Sequence, residues 1–182
     1  MHGKAQGALA RNIKGTIAHL SIGEVVRRGR YGRVQRSWHP YTVALTGLPR
    51  AEALVPVLTC HPRSGFDALE GVEDALLHRG QTRIELESQA FDERYELWVS
   101  DEHDANWLRQ LFGPSFIVWL TESPPPEFGF DYGGGRLCAF LEKHRDDPAE
   151  LDALREGLVG VTRAFREQIV EKLGRVKRPP AG

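Results

Sequence analysis

From Asp147 to Gly174 the sequence carries one apolar stripe and no second one. Leu151, Leu154, Leu158, Val161, Phe165, Ile169 and Leu173 recur every three or four residues. That spacing marks one face of an α-helix of about six turns. Its start is well signalled: Asp147 offers an N-cap oxygen, Pro148 suits the first helical position and Glu150 sits at N3. Gly174 supplies a C′ stop. A helix with a single apolar face must lie on another layer, and the residues before it have to provide that layer.

They read mostly as strands. Ile13, Gly15 and Ile17 alternate with polar or small residues; after a turn, Ile22, Val25 and Val26 open a second strand. Tyr41, Val43 and Leu45 form a third, closed by Gly47-Leu48-Pro49. Residues 55–60 are a shorter apolar run whose Pro56 suits an edge position or a strand start. Thr82–Ser88 and Arg94–Ser100 alternate clearly, joined by a turn anchored on Phe91. Phe128, Phe130 and Tyr132 lead into Gly133-Gly134-Gly135, and Leu137, Ala139 and Leu141 follow. That is a glycine-turned hairpin. No Lys-Ser/Thr pair follows the glycines, so they are not a phosphate loop.

The period changes to helical twice more. Phe66, Leu69, Val72 and Leu76 predict a helix over 64–79, weakened by Gly71. A helical pair is expected at 102–122. Asp101 is read as the N-cap of its first member and Gly113-Pro114 as the break between the two. Pro124-Pro125-Pro126 forces a stop.

The chain has 182 residues, of which 41% are hydrophobic and 27% charged, enough for one packed core. Residues 1–11, rich in Gly and Ala, read as a flexible terminus; 12–174 as a single domain; 175–182 as a basic, Pro-containing tail. No apolar run approaches the ~18 residues of a membrane span. The first residues lack the apolar stretch of a secretory signal, which places the chain in the cytoplasm or on the periphery of a membrane. Cys60 and Cys138 are too few for a disulfide framework; they read as two thiols on buried strand faces, with a single bridge as the alternative.

Charge is segregated along the chain. Residues 1–50 hold nine basic side chains and one acid, a net +8; the other 132 residues hold 15 basic and 24 acidic groups, a net −9. The densest run is Arg27, Arg28, Arg30, Arg33 and Arg36, interleaved with Tyr31, Gly29 and Gly32. Arginines set around a tyrosine can grip anions and stack a planar group. The plainer reading is a hairpin tip whose arginines are solvated or pair with the acidic second half. No sequence signature of an RNA- or DNA-binding module accompanies the run, so nucleic acid is a weaker candidate than an acidic protein surface or anionic lipid headgroups.

Catalytic chemistry finds little support. Seven histidines show no metal-ligand spacing, and no cofactor or metal is expected. Asp101, Glu102, His103 and Asp104 cluster, but acids at a helix start satisfy the dipole and the free N–H groups there. Glu85 and Glu87 share one strand face, as an ordinary solvent face would place them. The serines lack a nucleophile elbow, and neither cysteine has a basic neighbour. Trp98 falls opposite Tyr95, Leu97 and Val99, where a helix is expected to cover it.

A resemblance is carried by Leu86-Glu87-Ser88, Phe91-Asp92, Tyr95, Leu97, Ser100-Asp101, Asp104-Ala105, Leu111, Pro114-Ser115-Phe116 and Leu120. Over 83–141 the chain resembles an actinobacterial-type bacterial domain family of unknown function, whose members often carry membrane-spanning helices ahead of a soluble domain. The resemblance implies an architecture and no reaction.

The expectation is therefore an α+β fold: seven or eight mostly antiparallel strands in a curved sheet or partial barrel, a helical insert and a long C-terminal helix. The expected function is that of a non-catalytic interaction domain. It engages an acidic partner or an anionic membrane surface through Arg27, Arg28, Arg30, Tyr31, Arg33 and Arg36. The alternatives are a hydrolase-type enzyme using acidic residues and His103, and a weak nucleic-acid binder.

Overall fold

The computed structural model describes residues 4–28, 33–63 and 80–176. The helix expected over 64–79 lies outside the described residues. Eight strands form one sheet: β1 (Lys4–Ala10), β2 (Ile13–Arg28), β3 (Arg33–Gly47), β4 (Leu58–Pro62), β5 (Gln81–Ile84), β6 (Tyr95–Ser100), β7 (Gly129–Gly133) and β8 (Arg136–Glu142). Their spatial order is β1-β2-β3-β8-β7-β4-β6-β5, and every pairing is antiparallel. The sheet is open, with β1 and β5 as its edges, so the fold is α+β and not a barrel.

Four described helices, α1 (Gln89–Arg94), α2 (Ala105–Leu111), α3 (Pro114–Glu122) and α4 (Pro148–Val176), bury their apolar faces in one core on one side of this sheet. The α4 stripe behaves as its spacing demands: Leu154, Leu158, Val161, Phe165 and Ile169 are buried. Phe165 is the centre. The rings of Phe112, Phe116, Phe130 and Tyr132 stand edge-on to it, with centroids 6.0–6.3 Å away. This is the geometry the ring quadrupoles favour.

Several boundaries differ from the sequence reading. Residues 4–10 are not a loose terminus but a paired edge strand. Leu9 is buried and its side chain occupies the space over Gly15, where a Cβ would lie 2.4 Å from Leu9 Cδ1. The small residues carry no alternation, yet they let this neighbour close in. The turn expected after Ala18 is absent: β2 is one 16-residue strand. Leu20 and Ile22 fall on the opposite face from Ile13 and Ile17, and that change of face mimicked a break.

The 55–60 strand is instead Leu58–Pro62, interior between β7 and β6, so Pro56 precedes a strand and marks no edge. The Thr82–Ser88 strand stops at Ile84, because one further pair would set Glu85 opposite Glu96. The Phe91 turn is helix α1, capped by Ser88, whose Oγ accepts the Phe91 N–H. The N-cap of α2 is Asp104, whose carboxylate accepts the N–H groups of Asn106 and Trp107; Asp101 instead accepts the Thr82 hydroxyl at 2.6 Å. Helix α4 runs through Gly174 to Val176, so the tail begins later than 175; residues 177–182 lie outside the described residues. The glycine hairpin forms as its composition requires, with φ of +54° and +69° at Gly134 and Gly135.

Replacing Phe165 by Ala is expected to cost about 3–5 kcal/mol, read from the urea midpoint at unchanged slope. Gly157 makes a sharper test. Helix propensity alone favours Gly157→Ala by about 1 kcal/mol. However, a Cβ there would lie 2.3 Å from a ring carbon of fully buried Phe128. Overpacking of this kind costs about 1–3 kcal/mol, so the variant should be less stable than the parent. A raised midpoint would contradict that packing.

Candidate functional site

Two regions hold the residues that could act: the ribbon formed by β2 and β3, and a cavity at the opposite edge of the sheet. The ribbon outruns the sheet. β1 pairs with β2 only as far as Ala18, and β8 pairs with β3 only from Tyr41 onward. As strands, residues 21–28 and 33–40 pair only with each other, from Ser21↔Pro40 to Arg28↔Arg33. Eight residues at ~3.3 Å each make an arm about 26 Å long.

Its base is fixed by the segment after β8. Thr42 Oγ1 donates to the Lys143 carbonyl at 3.0 Å and accepts the Arg145 N–H at 2.8 Å. The Lys143 N–H donates to the Pro40 carbonyl at 2.7 Å. His19 and His144 stack with centroids 4.8 Å apart, and His19 Nε2 stands 3.6 Å from Asp146.

The register places the expected contact residues. Arg28 and Arg33 sit directly opposite one another, on the face that also carries Leu20 and Ile22. Arg27, opposite Val34, and Arg36, opposite Val25, fall on the face of Trp38. Arg30 and Tyr31 lie outside the described residues. The sequence reading missed the apolar stem. Leu20, Ile22 and Trp38 are 42%, 52% and 63% exposed, and the Trp38 ring covers Gly23 across the ribbon. The available signal was the switch of apolar residues to the other face of β2.

The cavity, of about 640 Å³, lies between the chain following β5 and helices α2 and α3. Leu86, Leu108, Phe112, Ile117 and Val118 form its apolar wall, and Glu85, Glu87, His103, Arg83 and Arg109 its polar lining. It therefore gathers Glu85, Glu87 and His103, the sequence's nominees for chemistry, while leaving Asp101 and Asp104 to their structural bonds. His103 Nδ1 lies 2.9 Å from the Ser100 carbonyl, which fixes Nδ1 as the protonated nitrogen. Arg83 is engaged by Glu96 at 3.2 Å. Ser88, also in the lining, spends its hydroxyl on the α1 cap.

On the sheet face away from the core, His61 Nε2 lies 2.9 Å from Asp131 Oδ1 and the imidazole stands edge-on to Phe140. Asp131 is the cross-strand neighbour of Cys138. Trp98 is half-buried on this same face. Both cysteines are free. Burial, then the Asp131 charge, pushes the Cys138 thiol up to about 12; the same causes raise the buried Cys60 well above its ordinary range. Neither is a thiolate nucleophile. Among the described residues no group of three or more His, Cys, Asp or Glu side chains is placed to hold a metal ion, and no described helix is long and apolar enough to cross a membrane.

No family model, curated protein or solved structure matches this chain.

The raised thiols set an alkaline limit. Burial also pushes the Tyr132 phenol up to about 12 and raises Tyr95. As pH climbs, the unfolded chain releases these protons first, so stability present below about pH 8.5 is lost between roughly 9 and 12. The urea midpoint should fall steadily over that window. In native protein at pH 8 neither thiol should react with a disulfide reagent, whereas both should react once the chain is unfolded.

Proposed function

We propose that this chain is a non-catalytic interaction domain that engages an acidic protein surface through the β2–β3 arm. The observation that carries the reading is the Arg28↔Arg33 pair at the far end of a ribbon standing clear of the sheet. Like charges directly opposite destabilise a ladder, and an anion set between them reverses the sign of that contribution. The arm places this pair about 26 Å from the point where the sheet ends.

Anionic lipid headgroups would attract the same arginines. The arrangement along the arm favours a protein: exposed Leu20, Ile22 and Trp38 lie nearer the sheet than the arginines do. A bilayer would meet the charges first and leave the apolar stem outside. A groove in an acidic protein can take both, and Trp and Arg are the residue types that dominate such contacts. We place the chain beside the domain family that residues 83–141 resemble, as a member that works by binding. The cavity supports a second, hydrolase-type reading only through its grouping of Glu85, Glu87 and His103. The Ser88 Oγ in its lining accepts the Phe91 N–H of the α1 cap.

The test replaces Arg27, Arg28, Arg33 and Arg36 by Ser together. Exposed charge contacts contribute about 0.2–1 kcal/mol each, so binding to polyglutamate should fall by roughly 4- to 10³-fold. The urea midpoint should stay unchanged or rise. Anionic vesicles and single-stranded RNA serve as parallel probes, and tighter salt-sensitive binding to either would replace the reading. A collapse in stability would show the arginines to be internal partners of the acidic second half.

A further inference from the structure

We infer that the arm's acidic partner is a second copy of this chain, with each arm crossing to the cavity at the β5 edge of the other. The inference rests on the reading of the arm above and names its partner.

The arm is the most basic part of a chain whose remainder is acidic: +8 over residues 1–50 against −9 over the other 132. Most of the described acids beside arginines are already engaged. Glu96 binds Arg63 and Arg83, Glu127 and Glu150 bind Arg145, and Asp152 and Glu156 bind Arg155. Glu85 and Glu87 are different. They are exposed, make no ion pair among the described residues, and border an apolar wall. Arg109 shares that lining, and the partner's charges must pass it. The cavity thus offers carboxylates beside apolar surface, and the arm offers arginines beside Leu20, Ile22 and Trp38. Each surface is incomplete in the same two respects, and each supplies what the other lacks.

Reach decides between self-docking and exchange. The arm projects away from the sheet, and its apolar stem is exposed in its own chain. From β3 the order runs through β8, β7, β4 and β6 to β5, which is five strand spacings. At ~4.8 Å each they span about 24 Å, within the ~26 Å of the arm. An arm laid across a facing copy is therefore long enough to arrive at that copy's β5 edge. Two copies related by a twofold axis make the contact reciprocally, so the assembly closes and leaves no unused arm.

The experiment uses the full chain and two charge-reversed variants. One carries Arg27→Glu, Arg28→Glu, Arg33→Glu and Arg36→Glu; the other carries Glu85→Arg and Glu87→Arg. Sedimentation equilibrium reads the mass at low salt. The parent should form a dimer that dissociates as ionic strength approaches about 1 M, where the screening length shrinks to ~3 Å. Each variant alone should be a monomer, since like charges then face one another. Mixed in equal amounts they should restore the dimer, because both reciprocal contacts are again between opposite charges. Recovery also establishes that both variants fold. A parent that stays monomeric at low salt overturns the proposal, as does a dimer that survives either reversal, or a mixture that stays monomeric while both variants keep the parent's unfolding curve. If the monomeric parent still binds polyglutamate through the arm, the interaction reading stands and only the choice of partner fails. If it binds none, both fall.

Discussion

The fold depends on the packing around Phe165. Four aromatic rings meet it edge-on, from β7 through Phe130 and Tyr132, from Phe116 in α3, and from Phe112 in the α2–α3 junction. The segment from Phe112 to Tyr132, which spans the helical insert and β7, is thus held in register by one side chain of α4. Glycines make this approach possible. Gly157 lets Phe128 lie against α4, and Gly160 does the same for Trp119. The two glycines cost helix propensity of about 1 kcal/mol each, offset by burying aromatic area at about 25 cal/mol per Å².

A second clamp positions the helical insert. The Arg94 guanidinium, at the end of α1, donates to the carbonyls of Thr121, Pro124 and Pro125 and lies 5.3 Å from the Tyr95 ring centroid. The Tyr95 hydroxyl donates to the Leu120 carbonyl at 3.3 Å. Helix α3 and the proline segment present carbonyls that lack helical donors, and Arg94 supplies a planar set of them. This contact holds α3 in place, and α3 in turn lines the cavity through Ile117 and Val118.

What the sequence made legible follows from how local each determinant is. The α4 stripe, the Gly134-Gly135 turn and Pro114 at a helix start act through neighbours three or four residues away, and all three appear where the pattern puts them. Strand order and extent depend on partners from elsewhere in the chain. β5 ends at Ile84 because of Glu96 on β6, and β1 exists because β2 offers it Gly15. The cavity joins Glu85 and Glu87 to His103 across 16 to 18 residues of sequence, through the folding of α1 and β6 between them. No spacing rule connects such residues. The arginine run was visible by composition; the exposed apolar stem of the arm was not, because an apolar residue at a strand position reads as core until the neighbouring strands are known to stop.

The segregation of charge then acquires a structural cause. In a compact sheet a run of five arginines within ten residues would repel itself or require acids from every adjoining strand. Here β1 and β8 end before the run begins, and the pairing continues with the two strands alone. The acids left in the body serve other ends: Asp104 caps α2, Asp147 accepts the Ala149 N–H at the start of α4, and Glu127 and Glu150 bind Arg145 beside the base of the arm. Arg145 also receives the Thr42 contact through its N–H, so one residue ties the acidic body to the ribbon at the point where the sheet releases it. The arm is long because its pairing is uninterrupted, and it is directed because its base is fixed by Thr42, Pro40 and the stacked His19–His144 pair. A basic surface on a paired ribbon loses less conformational entropy on contact than the same arginines on a loop, and that difference favours the strand pairing of residues 21–28 and 33–40 as the form in which this charge is presented.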